Sequence, residues 1–123
     1  MDEINEAIRK FQKELNGGTA SLVLLGVLNS AKSPMYGYQI AKLIEGRAKD
    51  ADIMKQGALY PVLRSLEAAG LLQSEVEPSV SGPPRRYYKI TETGRKSFIK
   101  WVEIWDQTRQ LVEAVTKGGD DDK

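Results

Sequence analysis

The segment that most limits the fold is a helical stripe followed by a turn and two alternating stretches. Apolar side chains recur in the stripe at helical spacing, so one side of a helix must face a core. The stripe ends at Gly70, and alternation up to Val76 and again over 86–90 indicates a hairpin joined by residues 77–84. A helix that leads into a hairpin with a basic return strand is the arrangement of a winged helix. The stripe consists of Leu59, Val62, Leu63 and Leu66.

Size and composition agree with one small domain. With 123 residues, 41% hydrophobic and 28% charged, the chain is typical of globular proteins. Its longest apolar run, residues 20–28, is shorter than the roughly 20 residues that span a membrane. The sequence has no cysteine and no histidine, and therefore lacks disulfides, thiolate metal ligands and the commonest general base. We expect a cytoplasmic protein that uses no cofactor or metal and is not an enzyme.

Charge is unevenly distributed along the chain. The net charge is only +1, but residues 32–100 carry 12 basic and 7 acidic side chains. Residues 1–31 carry 3 basic and 4 acidic side chains, and residues 101–123 carry 3 and 6. The basic excess coincides with the predicted helix and hairpin, which favours a nucleic-acid-binding surface. An ordinary solvated surface is the alternative reading of the same pattern.

The N-terminal half is predicted to contain three helices. The first covers residues 2–15, where apolar residues recur at helical spacing, and Asn16-Gly17-Gly18 is expected to end it. Thr19 is then expected to cap a second helix, apolar nearly all round, at the centre of the core. A turn over 33–37 leads into a third helix that ends near Gly46. The apolar residues of the first helix are Ile4, Ile8, Phe11 and Leu15.

The last predicted helix is too long for the domain to cover. Thr91 is its expected N-cap, and its apolar face extends to about Thr116, a length of about 39 Å. Such a face requires a further partner. Its apolar residues are Phe98, Trp101, Val102, Trp105, Leu111, Val112 and Val115.

Four segments carry a family resemblance: YGYQI at 36–40, GALYPVLRSLE at 57–67, GLL at 70–72 and GPPRRYYKITETGR at 82–95. In this order, over about residues 20–100, they resemble the PadR-like transcriptional regulators. The resemblance implies a winged helix-turn-helix that dimerises through its C-terminal region and binds near-palindromic promoter DNA. Such regulators are usually repressors that a small molecule relieves.

The predicted fold class is therefore mainly α with a small β-hairpin. It is a winged helix-turn-helix with an extra N-terminal helix and a long C-terminal dimerisation helix. We divide the chain into an N-terminal helix at 1–18, a DNA-binding domain at 19–90, a dimerisation helix at 91–116 and a flexible tail at 117–123.

The fourth predicted helix, residues 56–69, supplies the candidate base-reading residues. Gln56, Tyr60 and Arg64 are four residues apart and share one helical face that could approach the major groove. Arg64 is the best candidate for a bidentate contact to guanine. Lys55, just before the helix, is expected to contact phosphate. Packing of the Tyr60 ring against the wing or the adjacent helix is the alternative for that residue.

Further candidates lie on the third helix and in the wing. Tyr38 and Lys42 are candidate phosphate ligands on the outer face of the third helix, with a merely solvated face as the alternative. Two prolines stiffen the chain before Arg85 and Arg86, at least one of which should reach phosphate or the minor groove. For Tyr87 and Tyr88 we favour a structural role.

A single C-terminal helix looks like the shorter branch of the family, which includes LmrR-like multidrug regulators. In those, a tryptophan on this helix and its dimer mate flank a pore for flat aromatic compounds. Aligned through the opening of the helix, Trp105 falls close to that position and Trp101 lies one turn earlier. Ile8 and Phe11 are expected to close the side of such a pore. A simple hydrophobic interface is the alternative.

The leading hypothesis is a homodimeric DNA-binding transcriptional regulator, a repressor relieved by a small planar hydrophobic ligand at the dimer interface. Its expected partners are double-stranded promoter DNA, a second copy of the chain and a small aromatic effector, with no membrane. The alternative is a winged-helix protein-interaction module without sequence-specific DNA binding, whose basic face meets an acidic partner. Competition between that partner and duplex DNA would separate the two.

Overall fold

The computed structural model describes residues 2–47 and 56–117. These form a mainly helical fold with a small antiparallel sheet, as the sequence predicted. In chain order the elements are α1 (Asp2–Ser30), β1 (Met35–Tyr36), α2 (Gly37–Arg47), α3 (Gln56–Ala68), β2 (Leu72–Glu77), β3 (Arg85–Ile90) and α4 (Glu92–Lys117).

The sheet has three strands in the order β1-β3-β2, so β3 is central. β2 and β3 are the predicted hairpin, with Leu72 opposite Ile90 and Glu77 opposite Arg85. β1 was not predicted, because its two residues are too few to show an alternating pattern. It pairs Tyr36 with Tyr87. This third strand attaches the start of α2 directly to the wing.

The core lies between the second half of α1, the helices α2 and α3, and one face of the sheet. As predicted, the helical stripe of α3 is turned inward: Leu59, Leu63 and Leu66 are buried, and Val62 packs partly buried against them. The C-terminal half of α1 occupies the centre of the core, also as predicted. The buried cluster is Leu24, Leu25, Leu28, Ile40, Leu59, Leu63, Leu66, Leu71, Leu72, Tyr88 and Ile90.

The prediction that Asn16-Gly17-Gly18 ends the first helix is wrong, because α1 continues without a break to Ser30. A glycine ends a helix when it adopts a left-handed conformation, and within the described residues only Gly70 and Gly82 have positive φ. Thr19 does not cap a second helix. Its hydroxyl donates instead to the carbonyl of Leu15, 2.8 Å away, inside the same helix. The division of the chain at residue 18 therefore falls within one helix.

The end of α3 and the start of α4 are joined by hydrogen bonds. Gly70, with φ of 82°, closes α3 in the left-handed conformation, and the Leu71 amide donates back to the Leu66 carbonyl at 3.0 Å. The Thr91 hydroxyl donates to the Gly70 carbonyl at 2.7 Å and accepts from the Gly94 amide at 3.0 Å. The prediction that Thr91 caps α4 is confirmed.

Candidate nucleic-acid interface

The outer face of α3 is the first part of the candidate interface. Because the apolar stripe faces the core, Arg64 is left on the exposed side of the helix. Tyr60 lies on the same side and is 43% exposed. Gln56 is the first residue of α3, but its side chain is outside the described part, and Lys55 lies outside the described residues. Of the predicted base-reading face, the structure therefore describes Tyr60 and Arg64.

Tyr60 also packs against the first residue of α2. A Cβ added to Gly37 would lie 2.5 Å from the Tyr60 hydroxyl oxygen and 2.6 Å from a carbon of its ring. Gly37 is buried at this contact. The absence of a side chain on Gly37 thus lets α2 and α3 approach closely, and the packing alternative for the Tyr60 ring is observed. The same ring remains partly open to solvent on the outer face.

The two wing arginines take opposite sides of β3, as expected for neighbours in a strand. On one side, Nη1 of Arg86 donates to the Ser74 hydroxyl at 3.0 Å. That hydroxyl donates in turn to Oε2 of Glu67 on α3 at 2.7 Å. Arg86 is thereby linked through the hairpin to α3. On the other side, the guanidinium of Arg85 lies over the ring of Tyr36.

The hydroxyl of Tyr88 lies among charges from both α3 and the wing. Burial raises the pKa of the Tyr88 phenol, and the carboxylate of Glu67 raises it further. Arg86 and Arg64 act in the opposite direction and favour the phenolate. Arg64 on α3 and Arg86 on the wing, two of the predicted DNA-binding residues, therefore both act electrostatically on Tyr88.

The first two turns of α2 add a second exposed region. Tyr38 is exposed, and Nζ of Lys42 lies 5.7 Å from the centroid of its ring. Lys42 is also 4.0 Å from Glu45, but both side chains are largely exposed, and such pairs contribute little. Its ammonium is therefore accessible to an anion.

Sequence reasoning missed three side chains in this region. Tyr36 supports Arg85, Ser74 accepts a hydrogen bond from Arg86, and Glu67 accepts one from Ser74. Their roles depend on contacts across the sheet and between the sheet and α3. Tyr36 and Glu67 lie in segments that carry the family resemblance, but nothing in those segments indicated these contacts.

The comparison with protein families decides the assignment. The model of the family described as "Transcriptional regulator PadR-like family" matches residues 24–100, which include the core half of α1, α2, α3, the wing and the start of α4. The chain belongs to this family.

Solved structures of relatives have the same fold. A transcriptional regulator from Clostridium thermocellum is 25% identical, with a TM-score of 0.74, over 84% of this chain and 98% of the other. A PadR family transcriptional regulator from Eggerthella lenta is 29% identical, with a TM-score of 0.66, over 95% of this chain and 96% of the other. An uncharacterized protein from Lysinibacillus sphaericus is 25% identical over 85% of this chain and 93% of its own length.

The candidate ligand residues of this PadR-like chain fall into two groups. Trp101 is partly buried and packs against the core, together with Phe98, whose ring lies 3.2 Å from the position of a Cβ on Gly26. Trp105, one turn further along α4, is outside the core and 41% exposed. Ile8 and Phe11 are 58% and 62% exposed on the first half of α1. The two tryptophans therefore differ in their surroundings: Trp101 packs against the core, and Trp105, which the resemblance had aligned with the ligand position, lies outside it.

A polar, internally paired row of side chains runs along α4 next to Trp105. Arg109 bonds to Asp106 at 2.6 Å and to Glu113 at 3.1 Å, and this contact with Arg109 lowers the pKa of the Asp106 carboxyl. Over the described residues, no group of three or more potential ligands is arranged to hold a metal ion. The helices in those residues also lack the combination of length and apolar composition needed to cross a membrane.

Proposed function

We propose that this PadR-like protein is a homodimeric regulator that binds promoter DNA through α3, the first turns of α2 and the wing. The observation that carries the proposal is the position of its cations. Arg64, Lys42 and Arg85 are exposed on elements whose opposite faces form the core. These elements cannot turn without unpacking the core, so the backbone positions that carry the three cations are held on the surface in fixed relation to one another. Contacts to phosphate would supply most of the affinity, and Arg64 would read base edges.

The proposal of a homodimer rests on the long helices. α1 and α4 pack antiparallel, since Gly26 lies near Phe98 and the Arg95 guanidinium lies 3.4 Å from the Asn29 side-chain oxygen, further back along α4. Beyond this crossing, both helices carry large apolar side chains that the described residues leave exposed. Burial of such a side chain is worth about 1.5–3 kcal/mol, and a second copy would supply it. The exposed residues are Ile4, Ile8, Phe11, Leu15, Ile104, Trp105, Leu111, Val112 and Val115.

Effector control is proposed to act at the same interface, where α1 and α4 of the two copies meet. Trp105 is 41% exposed, whereas Trp101 packs against the core. A planar hydrophobic ligand stacked between the Trp105 rings of two copies would change the separation of the two α4 helices. The DNA-binding parts of the two copies, α2, α3 and the wing, would move with α4, because the Thr91 hydrogen bonds join α4 to the turn after α3. Relief of repression then requires that the ligand bind the two arrangements with different affinity.

The test is a fluorescence-anisotropy titration against the protein's own upstream promoter duplex and a scrambled duplex at two salt concentrations. We expect tight, salt-sensitive binding to the promoter and weaker binding to the scrambled duplex. The Arg64→Ala variant should lose about 1–3 kcal/mol on the promoter and less on the scrambled duplex. Lys100→Ala, which removes the same charge from α4, is the control and should bind like the wild type.

Two outcomes would contradict the proposal. An equal loss for Arg64→Ala on both duplexes would remove Arg64 from the base-reading residues. Absence of wild-type binding to either duplex at both salt concentrations would reject DNA binding by the protein alone.

A further inference from the structure

Tyr36 connects the wing to the start of α2, a role that its position in a turn did not suggest. β1 places it opposite Tyr87, and the two rings meet edge to face with their centroids 5.3 Å apart. Its ring also stacks with that of Tyr38, at 6.4 Å and an interplanar angle of 20°. Tyr36 is thus in contact with β3 on one side and with α2 on the other.

Arg85 rests on this ring although an acidic residue lies opposite it. In the sheet register Arg85 faces Glu77 of β2, yet its guanidinium carbon lies 4.5 Å from the centroid of the Tyr36 ring, toward β1. None of the ion pairs found within residues 2–47 and 56–117 involves Arg85. A guanidinium stacked on a ring keeps its N–H edges free, and those edges match the oxygens of a phosphate.

The backbone that carries the Tyr36 ring is itself held by a hydrogen bond. The backbone amide of Tyr36 donates to Oε1 of Gln39 at 3.1 Å. Because Tyr36 directly precedes α2 and Gln39 is its third residue, this bond is the side-chain half of a capping box. Arg85, Tyr36, Tyr38 and Lys42 therefore form one row, with a cation over each of its two aromatic rings. We refer to these four residues as the cation–aromatic row.

The neighbouring part of the same sheet face has the opposite charge. Beyond Tyr87, toward β2, lies a shallow groove whose charged lining residues are Glu75, Glu77 and Lys89, so its net charge is negative. A polyanion would be repelled there and attracted at the row. Without the Tyr36 ring, the flexible Arg85 side chain could turn to Glu77, which is directly across the ladder. The ring thus determines toward which side of the wing the Arg85 guanidinium is turned.

We propose that Tyr36 is a positioning residue for DNA binding. Its ring holds Arg85 beside α2, so that Arg85 and Lys42 bind phosphates of the same DNA strand. This inference rests on the proposed function, because it requires that the chain bind duplex DNA. Tyr36 acts through Arg85.

Four variants test the role of the ring in promoter binding across a series of salt concentrations. In the proposed homodimer, Arg85→Ala removes one phosphate contact from each copy, so the slope of log affinity against log salt should become less steep by about 1.8, twice the value of about 0.9 for a single contact. Tyr36→Leu should reduce the slope equally, whereas Tyr36→Phe, which keeps the ring, should retain the wild-type slope. The double variant Tyr36→Leu/Arg85→Ala should bind no more weakly than Arg85→Ala alone, because both substitutions remove the same contact between Arg85 and phosphate. A Tyr36→Leu slope equal to that of the wild type would overturn the proposal.

Two features of this experiment distinguish the loss of the Arg85 contact from partial unfolding of a variant. Partial unfolding lowers the apparent affinity by the same factor at every salt concentration, and therefore leaves the slope unchanged. Lys89→Ala removes a charge from the same face of β3, but Lys89 lines the groove together with Glu75 and Glu77, and the variant should keep the wild-type slope. Loss of slope in this control as well would show that any charge on the wing face suffices, and Tyr36 would have no specific role.

A measurement without DNA distinguishes failure of the inference from failure of the proposed function. In the free protein, the Arg85 Nε–H proton should show an upfield NMR shift from the ring, kept in Tyr36→Phe and lost in Tyr36→Leu. If the shift is missing from the wild type, the stacking is wrong and the inference fails whatever the protein binds. If the shift is present but the wild type binds neither promoter nor scrambled duplex, the proposed function fails and the role of Tyr36 in DNA binding fails with it.

Discussion

Gly94 is the residue at which α4 comes closest to the turn after α3. A Cβ at this position would collide with the carbonyl oxygen of Leu71 and lie 2.6 Å from Cγ1 of Ile90. The carbonyl cannot easily yield, because it accepts the Thr91 amide at 3.0 Å. Glycine is therefore required here by contact with another segment, since its φ is not in the positive range.

We expect Gly94→Ala to destabilise the protein by about 1–3 kcal/mol, the usual cost of overpacking a closely packed position. The matched control is Gly46→Ala on α2, where an added Cβ meets nothing within 4 Å. That substitution should leave stability unchanged or raise it by up to about 1 kcal/mol, because alanine is the better helix former. Urea unfolding followed by circular dichroism measures both. Equal unfolding midpoints for the two variants would contradict the close approach.

At the scale of elements, the joint between α3 and α4 depends on one threonine. The Thr91 hydroxyl both caps α4 and donates to the Gly70 carbonyl in the turn that follows α3. Thr91→Ala removes both bonds and should cost about 1–2 kcal/mol. Thr91→Ser keeps the hydroxyl and should cost much less, and Thr93→Ala in the same exposed turn is the control. A loss for Thr91→Ser as large as for Thr91→Ala, in the same urea titration, would show that the methyl group and not the hydroxyl matters.

The elements show which kinds of structure the sequence could predict. α3, the hairpin and α4 were predicted correctly because side-chain periodicity and caps such as Thr91 are local signals. The break at Gly17-Gly18 was wrong because glycine only weakens a helix, and the helical residues on both sides of it continue α1. β1 was missed because two residues form a strand only through their partner in the sheet.

The candidate site was predictable in its residue types but not in its contacts. The spacing of Tyr60 and Arg64 was enough to place both on the outer face of α3. Arg86 reaches Glu67 only through Ser74, and Arg85 rests on a ring 49 positions earlier in the chain. Such contacts depend on how the sheet packs against α2 and α3, which no local pattern encodes.

For the whole molecule, the exposed apolar side chains of α4 are the feature that one copy leaves unexplained. Leu111 is 65% and Val115 is 72% exposed, on a helix whose other face is polar and internally paired. If a second copy covers them, a glutamate introduced at either position would have its carboxylate buried in the dimer interface without a partner, which is strongly unfavourable. In a monomer the same carboxylate would be solvated and nearly neutral in its effect.

We therefore expect Leu111→Glu/Val115→Glu to sediment near the monomer mass of 13.7 kDa, and the wild type near twice that value. Gln110→Glu adds a carboxylate to the polar face beside Asp106 and should remain dimeric. Because the double variant leaves α2, α3 and the wing unchanged, it should keep a folded circular-dichroism spectrum and weak, salt-sensitive binding to a half-site. Its affinity for a full promoter should fall steeply, since the DNA-binding parts of two copies are no longer linked and cannot bind both half-sites as one unit. A dimer that survives both glutamates would place the dimer interface elsewhere, and the proposed ligand site would then lack the Trp105 ring of the second copy.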